Sequence, residues 1–184
     1  MKQLGGREFP IVDALPAGHG GIYVGNSGAA RALLPELVGK KFQRDEVLIQ
    51  TVGDSLVLAG DFPRGTLYAV YTLLEEYLGV RWWTSQAEYV PPVGELRLPE
   101  LSNRYAPPFF SREAYYWDVM SHPVFAARMK NNGQFEEIPE EYGGHVAILG
   151  WCHTFWRLLP AEKYYGDHPE WFSLVGGKRI AGNA

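Results

Sequence analysis

Apolar and polar positions follow two different periods along this chain, and the changes of period mark its elements. In GGIYVGNSG the apolar run Ile22 to Val24 is bounded by glycines, which predicts a short buried strand. It leaves through a Gly/Asn/Ser loop into a helix expected around Ala29 to Val38, giving a β-α unit. Val47 to Val52 and Ser55 to Ala59 are two β-rich runs separated by Gly53-Asp54. Glycine at the first central position suits a type II′ turn, so these runs read as an antiparallel hairpin. The period then lengthens: Leu67, Val70, Tyr71, Leu74 and Leu78 recur at offsets of three and four, which puts them on one helix face able to cover a sheet. Gly79 stands where a left-handed C-cap is expected, and Val80 to Trp83 continues as an extended segment.

Prolines at 91, 92, 99, 107 and 108 punctuate the next stretch, and the domain boundary is placed there, between 1–104 and 105–184. Residues 105–184 hold 16 of the 26 aromatics. Within them FFSREAYYW and HVAILGWCHTF read as strands, with a helix from Pro123 to Asn131 between, and strand, helix, strand opens a β/α series. A whole β/α barrel needs roughly 250 residues. The expected fold is therefore α/β (α+β): a small N-terminal layer domain with a mixed sheet and packed helices, then the first β/α units of an incomplete TIM-like barrel. GGKRIAGNA ends the chain without a closing helix, which suggests a fragment of a longer protein.

With 184 residues, 46% of them apolar, the chain can bury a substantial core. A net charge of -4 with both signs interspersed argues against a phosphate-neutralising surface, so nucleic acid is not an expected partner. No apolar run reaches the length of a membrane span, and Met1 to Val12 lacks the apolar centre of a signal peptide. The single cysteine, Cys152, excludes an intramolecular disulfide.

Candidate chemistry is sparse. Gly25-Asn26-Ser27-Gly28-Ala29 fits neither G-x-S-x-G nor G-x-G-x-x-G and reads as a tight β-α turn. Arg64-Gly65 lacks the phosphate-loop frame, so a structural turn with Arg64 paired to an acidic neighbour is expected. Glu136, Glu137, Glu140 and Glu141 flank Ile138-Pro139; paired carboxylates serve glycoside hydrolysis, but a charge run of this kind is usually solvated. Cys152, His145, His153 and His168 fit no short zinc spacing, and neither a metal nor a cofactor is expected. GWCHTFWRLLP gathers Trp151, His153, Phe155 and Trp156 at one strand end, where rings can stack on a sugar while His153 and Arg112 hydrogen-bond it. An aromatic core with a satisfied histidine is the equal alternative. In DHPEWFSLVGGKR an edge hairpin fixed by Trp171 and Phe172 is favoured over a functional His168 and Glu170.

SLVLAGDFPRGTLYAVYTLLEEYLGVRWW resembles the N-terminal α/β domain that precedes the barrel of family-67 α-glucuronidases and family-20 hexosaminidases. GWCHTFWRLLPAEKYYGDHPEWFSLVGGKR is similar to bacterial proteins carrying the domain of unknown function 4838, with a G-H-T-F, H-P-E-[YW]-F and G-K-R pattern in which Cys152 replaces a small residue. The resemblance implies the N-terminal portion of a bacterial glycoside hydrolase, a carbohydrate substrate and a periplasmic or extracellular setting. It implies no catalytic residue in this chain, since the catalytic carboxylates of those families lie further along the barrel. Arg112, Trp151, His153 and Trp156 are the substrate-binding residues it suggests. A non-catalytic carbohydrate-binding or adaptor module is the alternative.

Overall fold

The computed structural model describes residues 8–13, 15, 18–92 and 97–182. Part of the N-terminal stretch read for a signal peptide, and Asn183-Ala184 of the closing turn, lie outside the described residues. The chain divides into two compact units, Met1–Val146 and Ala147–Ala184.

The first unit is built on a mixed four-stranded sheet. Its strands are β1 (Ile22–Val24), β2 (Val47–Val52), β3 (Ser55–Gly60) and β6 (Ser102–Tyr105), in the order β1-β3-β2-β6. β1 runs parallel to β3, while β2 is antiparallel to both β3 and β6. The β2-β3 hairpin turns at Gly53, whose φ of 55° supplies the left-handed position that a type II′ turn requires. Successive side chains point to opposite faces, so β2 and β3 supply two cores. Val47, Ile49, Leu56 and Leu58 enter one; Leu48, Val57 and Ala59 enter the other.

The second core is closed by α1 (Gly28–Leu33) through Ala30 and by a 3-10 turn through Leu37. The Ser27 hydroxyl accepts from the Ala30 amide and caps α1. The helix expected to reach Val38 stops at Leu34, because Pro35 pushes the preceding residue out of the helical region: Leu34 has φ -127° and ψ 85°.

The first core is closed by α2 (Gly65–Thr72), which continues into a π turn over Leu73–Tyr77. Its burial differs from the expected stripe. Tyr71 and Leu78 are buried, but so are Tyr68, Ala69, Thr72 and Leu73, whereas Leu67, Val70 and Leu74 are half-buried. A second layer explains the wider arc, since Val119, Phe125, Ala126 and Ile138 join the same cluster. The π turn adds one residue, so the Leu78 amide reaches back five places to the Leu73 carbonyl. Gly79 then takes φ 73°, and β4 (Arg81–Trp82) pairs with β5 (Glu88–Tyr89). Tyr71 meets Trp82 edge to face at 5.6 Å between ring centres.

Beyond β6 the expected strand FFSREAYYW does not form. The Arg112 amide donates to the Asn132 side-chain oxygen and its carbonyl accepts from the Asn132 amide, so one asparagine takes both backbone groups that a strand partner would. Two short helices follow, α3 (Trp117–Ser121) and α4 (Pro123–Arg128), the latter inside the expected span. HVAILGWCHTF is likewise not a strand; Gly150 and His153 take φ of 67° and 50°, which a pleated ladder does not accommodate.

The second unit carries α5 (Phe155–Leu158), α6 (Ala161–Tyr164) and the hairpin β7 (Leu174–Val175) and β8 (Lys178–Arg179). Gly176 and Gly177 both have positive φ, the pattern of a type I′ turn, and the hairpin stands where the sequence placed it. None of its described residues is buried. Rings and side-chain bonds to the backbone hold it instead: Tyr165 meets Phe172 edge to face at 5.2 Å, and Arg179 Nη1 donates to the Phe172 carbonyl at 2.7 Å.

Candidate functional site

Asp45 is the hub of the first unit. It immediately precedes Glu46 and β2 and adopts a left-handed φ of 55°, with 1% of its surface exposed. One carboxylate oxygen accepts from Arg64 Nε at 2.8 Å. The other accepts from Arg112 Nη2 at 2.8 Å and from the Asn132 side chain at 3.3 Å. The Asp45 amide donates to Asp61, which fixes the hub to the loop opening α2. Two guanidinium groups thus bracket one carboxylate away from water, an arrangement that is tolerable only because the hydrogen bonds are nearly complete. The expected acidic partner of Arg64 is this aspartate.

Arg64-Gly65 is shaped by close packing. A Cβ on Gly65 would lie 2.2 Å from the Glu46 carbonyl oxygen, and one on Gly60 would lie 2.4 Å from that same atom. Only glycine lets the end of β3 and the start of α2 approach β2 this closely. The Phe62–Pro63 peptide bond between them is cis.

Beside the hub lies a cavity of about 490 Å³, whose lining includes Asp45, Tyr68, Asn103, Tyr105, Arg112 and Lys130. Tyr68 donates to the Asn131 carbonyl, and the Arg112 guanidinium lies over its ring at 5.6 Å from the centre. Burial raises the Tyr68 phenol, with Arg112 opposing, so it remains a neutral donor. The Asn103 side chain donates to the Tyr77 hydroxyl at 3.0 Å. Lys130 pairs with Glu75 at 3.2 Å. The volume and the mixture of rings, amides and charges match a small-molecule pocket.

Arg112, expected from sequence to bind substrate, borders this cavity, but most of its hydrogen-bonding capacity serves the fold. Nε donates to the Lys130 carbonyl, Nη1 to the Phe109 carbonyl, and Nη2 to Asp45 and, at 3.4 Å, to Tyr68. The other three expected residues, Trp151, His153 and Trp156, belong to the second unit. There His153 and Trp156 stack at 6.2 Å with 19° between ring planes. A tighter stack was not anticipated: His168 lies parallel to Trp171 at 3.9 Å, and its Nδ1 is 3.1 Å from Glu170.

The acidic run divides. Glu137, Glu140 and Glu141 are exposed, as a solvated charge run should be. Glu136 is completely buried, which corrects the expectation that it is solvated. Ile138 anchors the loop in the core, and the left-handed Glu137, φ 43°, turns its predecessor inward. Burial, then the nearby Glu113 carboxylate, push the Glu136 carboxyl upward. The amides of Glu136 and Ala114 lie near the carboxyl without meeting hydrogen-bond geometry, and with the His145 ring they offset this only partly. Among the described residues no group of three His, Cys, Asp or Glu side chains is arranged to hold a metal ion.

Asp45, Asn132 and Glu136 were not singled out as buried site groups from sequence. FQRDEV and KNNGQF carry no periodic signal, and burial there depends on contacts between segments far apart in the chain.

Comparison with known proteins adds one decisive match, a domain of unknown function (DUF4838) aligned with residues 82–183. The chain belongs to the DUF4838 family. The DUF4838 region begins in β4, takes in β6 and the Arg112 and Asn132 segments that hold Asp45, and runs through the second unit. Asp45 and Arg64 lie before it. No curated protein and no solved structure matches the chain.

Proposed function

We propose that this DUF4838 chain is the N-terminal portion of a glycoside hydrolase, α-glucuronidase-like or hexosaminidase-like, acting on oligo- or polysaccharide, with one sugar held in the cavity beside Asp45. One observation carries the reading. A cavity of about 490 Å³ brings the rings of Tyr68 and Tyr105 together with Asn103, Lys130 and one edge of Arg112. Aromatic faces pack against the apolar face of a pyranose, while amide and cationic donors select among its hydroxyls or a carboxylate.

Catalysis on this reading comes from carboxylates further along the protein. Asp45 is neutralised by two guanidinium groups and Glu136 is enclosed, so neither serves as one of the two carboxylates that glycoside hydrolysis uses. The same observation favours the second reading, a binding or adaptor module without chemistry of its own.

Titrating the chain with glucuronate- and N-acetylhexosamine-containing oligosaccharides, while following tyrosine and tryptophan fluorescence, tests both readings. Assays on aryl-glucuronides and aryl-hexosaminides run in parallel. Binding without turnover is the expected result. Turnover by this chain would place catalytic carboxylates within it, and absence of any binding would remove the sugar from the cavity.

A further inference from the structure

Glu136 stands apart from every other buried polar group. Among the described residues, its two carboxylate oxygens are the buried side-chain polar atoms without a hydrogen-bond partner. The titratable groups acting on it are Glu113, from the segment before α3, and His145, from the loop after it. Glu113 is fixed in place: it accepts from the Phe135 amide at 3.0 Å, and Gly133 packs directly on its side chain. His145 is exposed and contacts the Ile138 carbonyl through Nδ1 at 3.4 Å. An ionised carboxylate without a partner is strongly disfavoured in such a site, and the neutral acid is disfavoured far less.

The loop over it is held at a few points. Ile138 is buried in the core, the Gly143 carbonyl accepts from Arg64 Nη1 at 3.0 Å, and the Val146 amide donates to the Asn132 carbonyl at 2.7 Å. Arg64 and Asn132 are also two of the groups that hold Asp45 at the cavity wall. We propose that Glu136 is a proton-operated latch on segment 135–146: as the neutral acid it stays beneath the loop, and as the carboxylate it moves to water and releases the loop from Arg64 and Asn132. The proton passes to solvent on opening and returns on closing. Because Arg64 and Asn132 bind both the loop and Asp45, the latch ties the cavity wall to proton concentration, whatever ligand the cavity takes.

The sign follows from burial and Glu113, which raise the folded-state value above the ordinary 4.5. The closed loop is fully favoured below that ordinary value and loses its advantage as pH rises through the raised one. Between the ordinary and the raised value the ratio of closed to open falls by about tenfold for each pH unit, and above the raised value it levels off.

Two measurements on the whole chain test this. Protection factors of the Gly144 and Val146 amides, which donate to Pro139 and Asn132, should fall as pH rises from the ordinary carboxyl value through the raised one and then level off, and in Glu136→Gln they should not vary with pH. The NMR titration of the Glu136 side-chain carboxyl should show a transition above the ordinary carboxyl value of 4.5, moved down in Glu113→Gln. If Glu136→Gln fails to fold, the wild-type and Glu113→Gln titrations decide alone. An ordinary Glu136 titration, or protection with the same pH dependence in wild type and Glu136→Gln, overturns the latch.

Discussion

Arg64 donates from Nη1 to the Gly143 carbonyl at 3.0 Å, a bond between residues 79 positions apart, while its Nε holds Asp45 at 2.8 Å. One side chain thus joins the start of α2, the residue before Glu46 and β2, and a loop that follows α4. The cavity wall inherits its rigidity from this junction, because Asp45 also fixes Arg112 and Asn132.

Removing the hub should therefore be costly. Asp45→Ala leaves two guanidinium groups facing each other without a counter-charge, and a loss of about 3–5 kcal/mol is expected from breaking a buried pair on one side. Chemical denaturation of the variant against the wild type measures it. A loss below ~1 kcal/mol would show that Arg64 and Arg112 find water or other acceptors.

Gly65→Ala should destabilise the fold by about 1–3 kcal/mol or more, the usual cost of forcing an added methyl into packed structure. The obstacle is backbone: the new Cβ would sit 2.2 Å from the Glu46 carbonyl oxygen, which no side-chain rotation relieves. Gly28→Ala is the control, since a Cβ there meets nothing within 4 Å. Equal thermal midpoints for the two variants would contradict the close-packing account.

Acid should weaken the sheet through Glu46. Burial pushes its carboxyl up, but the Gln43 amide and Arg104 together outweigh burial and hold it below the ordinary 4.5. A lowered folded-state value gives stability that is present above 4.5 and lost as pH falls through the lowered value. Glu46→Gln should flatten this acid limb. Arg104→Gln should flatten it only in part, because Arg104 is half exposed and water screens its charge. Unfolding midpoints measured from neutral pH downward check both, and an unchanged acid limb in Glu46→Gln would assign the effect elsewhere.

How far the sequence could be read follows from the range of each determinant. The hairpin at Gly53, the cap at Gly79 and the hairpin at Gly176-Gly177 depend on two or three neighbouring residues, and they stand where periodicity and turn chemistry placed them. FFSREAYYW has strand-forming residues, yet Asn132, twenty positions on, takes the Arg112 backbone groups instead. The burial of Tyr68 and Thr72 depends on a second helical layer, so the apolar stripe of α2 alone could not show it. The candidate site was legible only at Arg112. Asp45 and Glu136 look like ordinary surface acids until long-range packing encloses them.

The central claim is that the cavity beside Asp45 holds a sugar. Its most direct test is an NMR titration that follows the Asn103 side-chain amide and the Tyr68 and Tyr105 rings while uronate- or hexosamine-containing oligosaccharide is added. Saturable shifts confined to these groups and Lys130, weakened at least tenfold in both Asn103→Leu and Tyr105→Ala, are the predicted result. Shifts that do not saturate, or that persist unchanged in both variants, would contradict it.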